Sequence, residues 1–440
     1  MARSNRRQKA RVATSLASAT CALLGTTSVT PVNAQEEPDW EFDTALLYYQ
    51  EGDDRVQDIS FNMLAVRNFV DDRLLTLTLG VDTLTGATPI GASPFDGPQT
   101  FTSPSGLQIR TTPPNVIPLD QSFLDTRVSL SGAWQQPLGR MNKISAGISA
   151  SNEYDYFHLG ANVKLSRDFN NRNTTASIGL AYSTDEWDPV GGAPSPLSPM
   201  LNVGDLSNRL GKQDKDVIDI VVGVSQVINR NLVVQLNYSY SSNDGYLNDP
   251  YKIVSLVDPV TGDPIEIPQV PGVDGPSHEY RFESRPDQRT KHSFYGQATW
   301  YLGGKVLDAS YRYMTDDWDI DSHTIDARYR WPIGERSYIE PHVRYYTQSH
   351  ADFYRTSLDG TVPLPDHASA DYRLGEFDAF TVGLKYGRKT KSGHEWSTRV
   401  EMYSADGSVP DYLLIGDQGN REIYPDLDAI IAQFTYSFDW

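Results

Sequence analysis

Asp308, Arg312, Asp326, Arg328, Arg330, Glu340, His342, Arg344, Lys385, Arg399 and Glu401 each sit out of phase with the apolar and aromatic residues beside them. Along a β-strand, a period of two sends such a charged set to one face and its neighbours to the other. Two kinds of chemistry fit a face of this sort. It can line an aqueous passage and screen permeating ions by transverse fields. Alternatively, its two signs can pair across strands and stiffen the wall without any transport role. The signs interleave on neighbouring segments, which favours pairing, and the two readings are compatible.

A second set is Asp82, at the foot of a long stretch rich in Gly, Pro and Thr over residues 83–120, with Thr85, Gln99, Thr100 and Ser105 inside that stretch. These small hydrogen-bonding residues build no core of their own. The stretch is therefore either an external loop or a constriction folded into the mouth that carries it, and length alone does not decide. Arg55, in a neighbouring acidic corner, is suited to pair with Asp82 or to hold the loop.

Three further patterns are weaker. Asp316, Asp317, Asp319, Asp321 and His323 resemble a calcium loop in charge, yet the glycine and distal glutamate of that motif are missing. A solvated acidic hairpin, or a divalent bridge to lipopolysaccharide phosphates, is the expectation there. His367-Ala368-Ser369 offers a base and a nucleophile with no evident orienting acid. The eight histidines show no paired metal spacing, and no glycine-rich phosphate loop follows a strand. No catalytic residue, metal or cofactor is expected, and the chain is not read as an enzyme.

The elements that position the charged face are strands. Leu75, Leu77, Leu79 and Val81 alternate with Thr76, Thr78, Gly80 and Asp82, and similar runs recur to the last residue. Ala432, Phe434, Tyr436, Phe438 and Trp440 close the series against Gln433, Thr435, Ser437 and Asp439. Tight turns such as 170–173, 229–231 and 303–304 alternate with long loops, and the count comes to about sixteen. This predicts an all-β fold, a transmembrane antiparallel barrel with short periplasmic turns and long extracellular loops. Trp134, Trp300, Trp331 and Trp440 then fall at periplasmic strand ends, as an interfacial girdle requires, with Trp187, Trp318, Tyr49 and Tyr403 at the opposite ends. About sixteen strands enclose a lumen wide enough for water.

Composition agrees. With 38 Lys+Arg against 57 Asp+Glu the net charge is -19, which argues against nucleic acid as a partner. Arg3, Arg6, Arg7, Lys9 and Arg11 precede a modestly apolar run, and Val32-Asn33-Ala34 suits a signal peptidase. Residues 1–34 are thus read as a signal peptide and 35–440 as one barrel domain. The only cysteine, Cys21, lies in the leader, so no disulfide is expected in the remainder. Lipid attachment at Cys21 is the lesser alternative, because Thr20 is larger than the residue usual before a lipidated cysteine. No apolar run beyond Ala34 is long enough for a membrane helix.

YYQEGDDRVQ over 48–57, VDTLTGATPIGASPFDGPQTFTSPSG over 81–106 and GYLNDPYK over 245–252 carry a family signature. By these stretches the chain resembles the domain of unknown function 3570 family of Gram-negative exported proteins. The resemblance implies an outer-membrane barrel and supplies no activity. The expected partners are outer-membrane lipid, lipopolysaccharide and the outer-membrane assembly machinery, with oligomeric state left open. The leading function is a pore or transport-associated channel for small polar solutes or cations. The alternatives are a non-conducting barrel that scaffolds a periplasmic or surface partner and, more remotely, an outer-membrane hydrolase.

Overall fold

The computed structural model describes residues 40–52, 55–69 and 71–440. The leader with Cys21, and Asp53 and Asp54 of the acidic corner, lie outside the described residues. Among the described residues, sixteen antiparallel strands close into one barrel. They are β1 (Trp40–Glu51), β2 (Gln57–Asn68), β3 (Leu74–Pro89), β4 (Leu119–Pro137), β5 (Asn142–Asn152), β6 (Tyr156–Phe169), β7 (Thr174–Trp187) and β8 (Gln213–Asn229). The circuit continues through β9 (Leu232–Gly245), β10 (Gln288–Leu302), β11 (Lys305–Asp316), β12 (Asp321–Ile333), β13 (Ser337–Gln348), β14 (Glu376–Lys389), β15 (Glu395–Ser408) and β16 (Leu427–Asp439).

Alternation dictates which way each side chain points. Leu124, Leu130, Ile148 and Met402 stand 60–69 % exposed on the outer surface, while the intervening polar residues face the axis. Apolar exposure on that scale suits lipid and not water. In lipid, an unpaired sheet edge would leave backbone groups without partners, so the sheet must close. The closing seam runs from Glu41 opposite Asp439 to Glu51 opposite Ala429. Beyond it, the Trp40 N–H donates to the Trp440 carbonyl and the Trp440 N–H to the Trp40 carbonyl, each at 2.8 Å. Phe42 and Phe438 stack at 5.0 Å on the same seam.

The connections sort by end. At the end where β1 starts and β16 finishes they are short. Gly303 and Gly304, with φ of 60° and 98°, join β10 to β11 in a two-residue hairpin turn that a side chain would strain. At the other end lie the long connections 90–118, 188–212, 246–287, 349–375 and 409–426.

These long loops roof the mouth. The loops after β3, β7 and β9 share a buried core of Ile90, Ala92, Phe101, Met200, Ile253, Tyr280 and Phe282. Those after β11, β13 and β15 share another, around Trp318, Phe353, Tyr354, Leu374 and Leu413. Hydrogen bonds span wider gaps. Ser93 Oγ donates to the Thr356 carbonyl at 3.0 Å, and Arg421 Nη1 donates to the Gly262 carbonyl at 3.2 Å. Each bond joins loops rooted six strands apart on the ring. Loops so far apart on the rim can meet only by crossing the opening.

One placement differs from the sequence reading. Thr85 joins Asp82 on β3, and the long loop shrinks from 83–120 to 90–118. β3 runs on because it pairs with β4 through Thr85 opposite Leu124, and a bulge between Gly86 and Thr88 carries the ladder to Pro89. Trp187 and Trp318 do lie at the outer end, turned away from lipid. Trp187 and Tyr156 face inward, edge to face at 4.7 Å. Trp318 is buried in the roof, with the Arg289 guanidinium 4.3 Å from its ring.

Candidate functional site: a charged wall beneath the roof

The densest part of the inner wall lies on β12 to β15. His342 on β13 is bracketed by two carboxylates. Its Nε2 lies 2.8 Å from Asp326 on β12 and its Nδ1 2.8 Å from Glu401 on β15. Glu401 reaches across β14 because that strand carries Gly383 there. A Cβ on Gly383 would fall 2.5 Å from the Glu401 side chain. Four residues on, Gly387 does the same for Tyr338, whose ring lies where a Cβ would be, at 2.2 Å. The Tyr338 hydroxyl donates to Glu395 at 2.9 Å, and the Arg330 guanidinium covers the ring at 3.5 Å while bonding Glu395 at 3.2 Å. Large side chains thus lie flat along the wall across glycine gaps.

The remaining predicted wall residues join this lattice. Arg328 pairs with Asp326 at 3.4 Å, and Arg399 lies 3.6 Å from Glu401 and 3.9 Å from Glu340. Asp308 accepts hydrogen bonds from Thr299 and Gln297. Arg312 lies over the Tyr295 ring at 5.8 Å, Arg344 sits opposite Asp326, and Lys385 lies between Glu340 and Arg399 in register. Neighbouring strands are therefore tied by opposite charges, with polar groups turned to the axis.

Of the residues assigned to a constriction, Gln99, Thr100 and Ser105 are in the roof. Gln99 is fully buried, donating to the Ser93 carbonyl at 3.1 Å and accepting from Tyr280 at 2.9 Å. The Thr100 N–H donates to Ser277 at 2.8 Å, and Ser105 shares a hydrogen bond with Ser103 at 3.0 Å. Asp82 instead pairs with Arg127 on the inner wall at 3.0 Å, and Thr85 takes the outward parity opposite Leu124. Arg55 does not reach Asp82. It pairs with Glu51 at 3.3 Å and lies over the Tyr372 ring at 5.9 Å.

Sequence reasoning missed the ionic centre of the roof, although the 245–252 stretch lies in it. The Lys252 ammonium donates to the Pro89 carbonyl at 2.5 Å. Arg285 contacts Glu283 at 2.6 Å and Asp371 at 2.8 Å. Arg373 joins Asp371, at 2.6 Å, to Asp249, at 2.5 Å, and Ser369 donates to Glu283 at 2.5 Å. Burial pushes the Lys252 amine below its usual range and the Glu283 carboxyl above its own. Burial also acts to raise Asp371, but the charges of Arg373, Lys252 and Arg285 outweigh it and hold that carboxyl well below the usual range.

The weaker motifs turn to structural partners. Asp316 accepts from the N–H groups of Trp318 and Ile320 and from Arg289, which shapes its own hairpin. Asp321 accepts from Tyr313 at 2.8 Å, and His323 lies 2.7 Å from the Tyr311 hydroxyl. Ser369 serves Glu283 and not His367, which instead lies 3.3 Å from Ser284. At the other end of the barrel, Trp300, Trp331 and Trp440 are 48 %, 48 % and 84 % exposed. Trp134 shares that end, packed at 5.3 Å against Phe69.

Residues 13–438 match the family described as "Protein of unknown function (DUF3570)". The chain belongs to that family. No curated protein matches it. Among solved structures it is similar to the Pseudomonas aeruginosa ferric enterobactin receptor PfeA, at 8 % identity and TM-score 0.41, over 84 % of this chain and 55 % of the receptor. It is also similar to a bacterial polysaccharide outer membrane secretin, at 11 % identity and TM-score 0.41, over 91 % and 98 % of the two chains. P. aeruginosa OccK5 (OpdH) matches at 9 % identity and TM-score 0.40, over 92 % and 98 %. The chain thus spans about half the length of the receptor it matches. The closed sixteen-stranded barrel of this DUF3570 protein is given by its own strand pairing.

Proposed function

We propose that this protein is an outer-membrane channel for small polar solutes, reached after signal-peptide export in a Gram-negative cell, with lipid and lipopolysaccharide around its wall. Sixteen strands leave a bore that side chains do not have to fill. The observation that carries the reading is the pairing of a charged inner wall with a roof of interlocked loops over the outer mouth of the same barrel. A wall of both signs suits hydrated polar cargo, and a roof gives the passage a closed resting state. The acid surplus of -19 favours cations by local concentration.

Single-channel recording in planar bilayers tests this. The expected result is sparse openings of the intact protein and larger ohmic steps once residues 91–117 are replaced by a short Gly/Ser turn. Reversal potentials in asymmetric salt are expected to show cation preference. A barrel that stays silent after the loop is removed would instead be a non-conducting scaffold.

A further inference from the structure

On the opposite side of the wall from His342, three inward residues on consecutive strands make a second arrangement. Ser149 on β5 places its Oγ 3.2 Å from Nε2 of His158 on β6. The other ring nitrogen, Nδ1, lies 2.6 Å from Asp185 on β7. Asp185 is buried, its side chain 6 % exposed, and its second oxygen is held by Lys215 on β8 at 2.9 Å. An ionised carboxylate there can only accept, so Nδ1 carries the proton and Nε2 presents its lone pair to the serine hydroxyl. The serine and the ring remain partly open on the lumen side.

The backbone makes room for this contact. Gly160 stands opposite Ser149 in the ladder, and a Cβ there would fall 2.8 Å from Ser149 Oγ and 3.1 Å from His158 Nε2. Asn162, the next inward residue of β6, lies opposite Gly147 and brings its Nδ2 over that glycine. On β6 the Asn162 amide and the His158 imidazole thus stand on either side of Gly160, the residue opposite Ser149.

We propose that Ser149, His158 and Asp185 form a nucleophile, base and orienting acid that hydrolyse carboxylic esters entering the lumen. Ser149 Oγ attacks the carbonyl carbon and passes its proton to His158 Nε2. The ester C–O bond breaks, and the proton on His158 goes to the departing alkoxide, which leaves as the alcohol. Water, deprotonated by His158, then attacks the acyl-serine and releases the acid, restoring the hydroxyl. Asp185 is a positioning residue, and Asn162 donates to the carbonyl oxygen as it gains charge. The role is independent of conduction and goes beyond the channel reading.

The test is covalent labelling of the detergent-purified full barrel with a small fluorophosphonate, read by peptide mass spectrometry, together with p-nitrophenyl acetate turnover. The expected result is a phosphonyl adduct on Ser149 with loss of fluoride. Both activities should fall on the order of 10⁴-fold in Ser149→Ala and in His158→Gln. Gly160→Ala should suppress them with the barrel still folded, as shown by heat-modifiable gel migration. Asp185→Asn should lower the rate and shift its pH profile, and Asp185→Glu should restore part of both. An unlabelled Ser149 without turnover in a folded barrel, or labelling indifferent to His158→Gln, overturns the proposal.

Discussion

The Lys252 ammonium, wholly buried, donates to the Pro89 carbonyl oxygen and so fastens the loop after β9 to the last residue of β3. Around this bond Glu283, Arg285, Asp371, Arg373 and Asp249 form one ionic cluster that draws on two loops.

Arg285→Ala should release the roof. It strips Glu283 and Asp371, each 1 % exposed, of a shared cation, and an uncompensated buried charge costs about 3–5 kcal/mol. Hydrogen exchange should rise across 246–287 and 349–375 while strands β1 to β16 stay protected. Unchanged exchange in those loops would show the cluster to be dispensable.

Raising pH should loosen the β5–β6 hairpin. Burial and the neighbouring Asp125 push Glu153 up to about 8, and the same two causes push Asp155 up to about 6. Both stand above their unfolded values of about 4. The stability they contribute is complete below that value and is lost as pH rises through 6 and then 8. Exchange at 153–156, corrected for the intrinsic rate, should therefore climb between pH 5 and 9. A flat profile would count against it.

Gly387→Ala should displace the Tyr338 ring from its seat and weaken the Arg330–Tyr338–Glu395 group. Overpacking of this kind costs about 1–3 kcal/mol. The temperature at which the folded band is lost on gels should fall. Gly132→Ala is the control, because a Cβ there would only touch Leu77 at 3.5 Å.

The strands were legible because lipid on one face and water on the other impose a two-residue period, which survives in the sequence from Phe42 to Trp440. The end of β3 was not, because Thr85 sits among Gly and Pro residues that usually mark a loop. Membership of the charged wall followed from parity, whereas its bridging contacts did not, since they depend on Gly383 and Gly387 one strand away. The roof was hidden for a related reason. Gln99, Lys252 and Asp371 are polar residues in connections between strands, and partners such as Tyr280 for Gln99, 181 residues on, carry no local pattern. The Ser149, His158 and Asp185 contact spans separations of 9 and 27 residues and becomes visible only when the register of three strands is known.

Because the loops share cores and cross-links, the roof has no leaf that can swing aside by itself. Freeing one loop strips contacts from its neighbours, so opening is a cooperative event with the free energy of a small domain unfolding. A stimulus that shifts such an equilibrium must favour the open form by several kcal/mol. A small solute that touches a single loop cannot supply that difference. The cue for opening is therefore expected to be large or multivalent, engaging several loops at once, or a force exerted along the barrel from within.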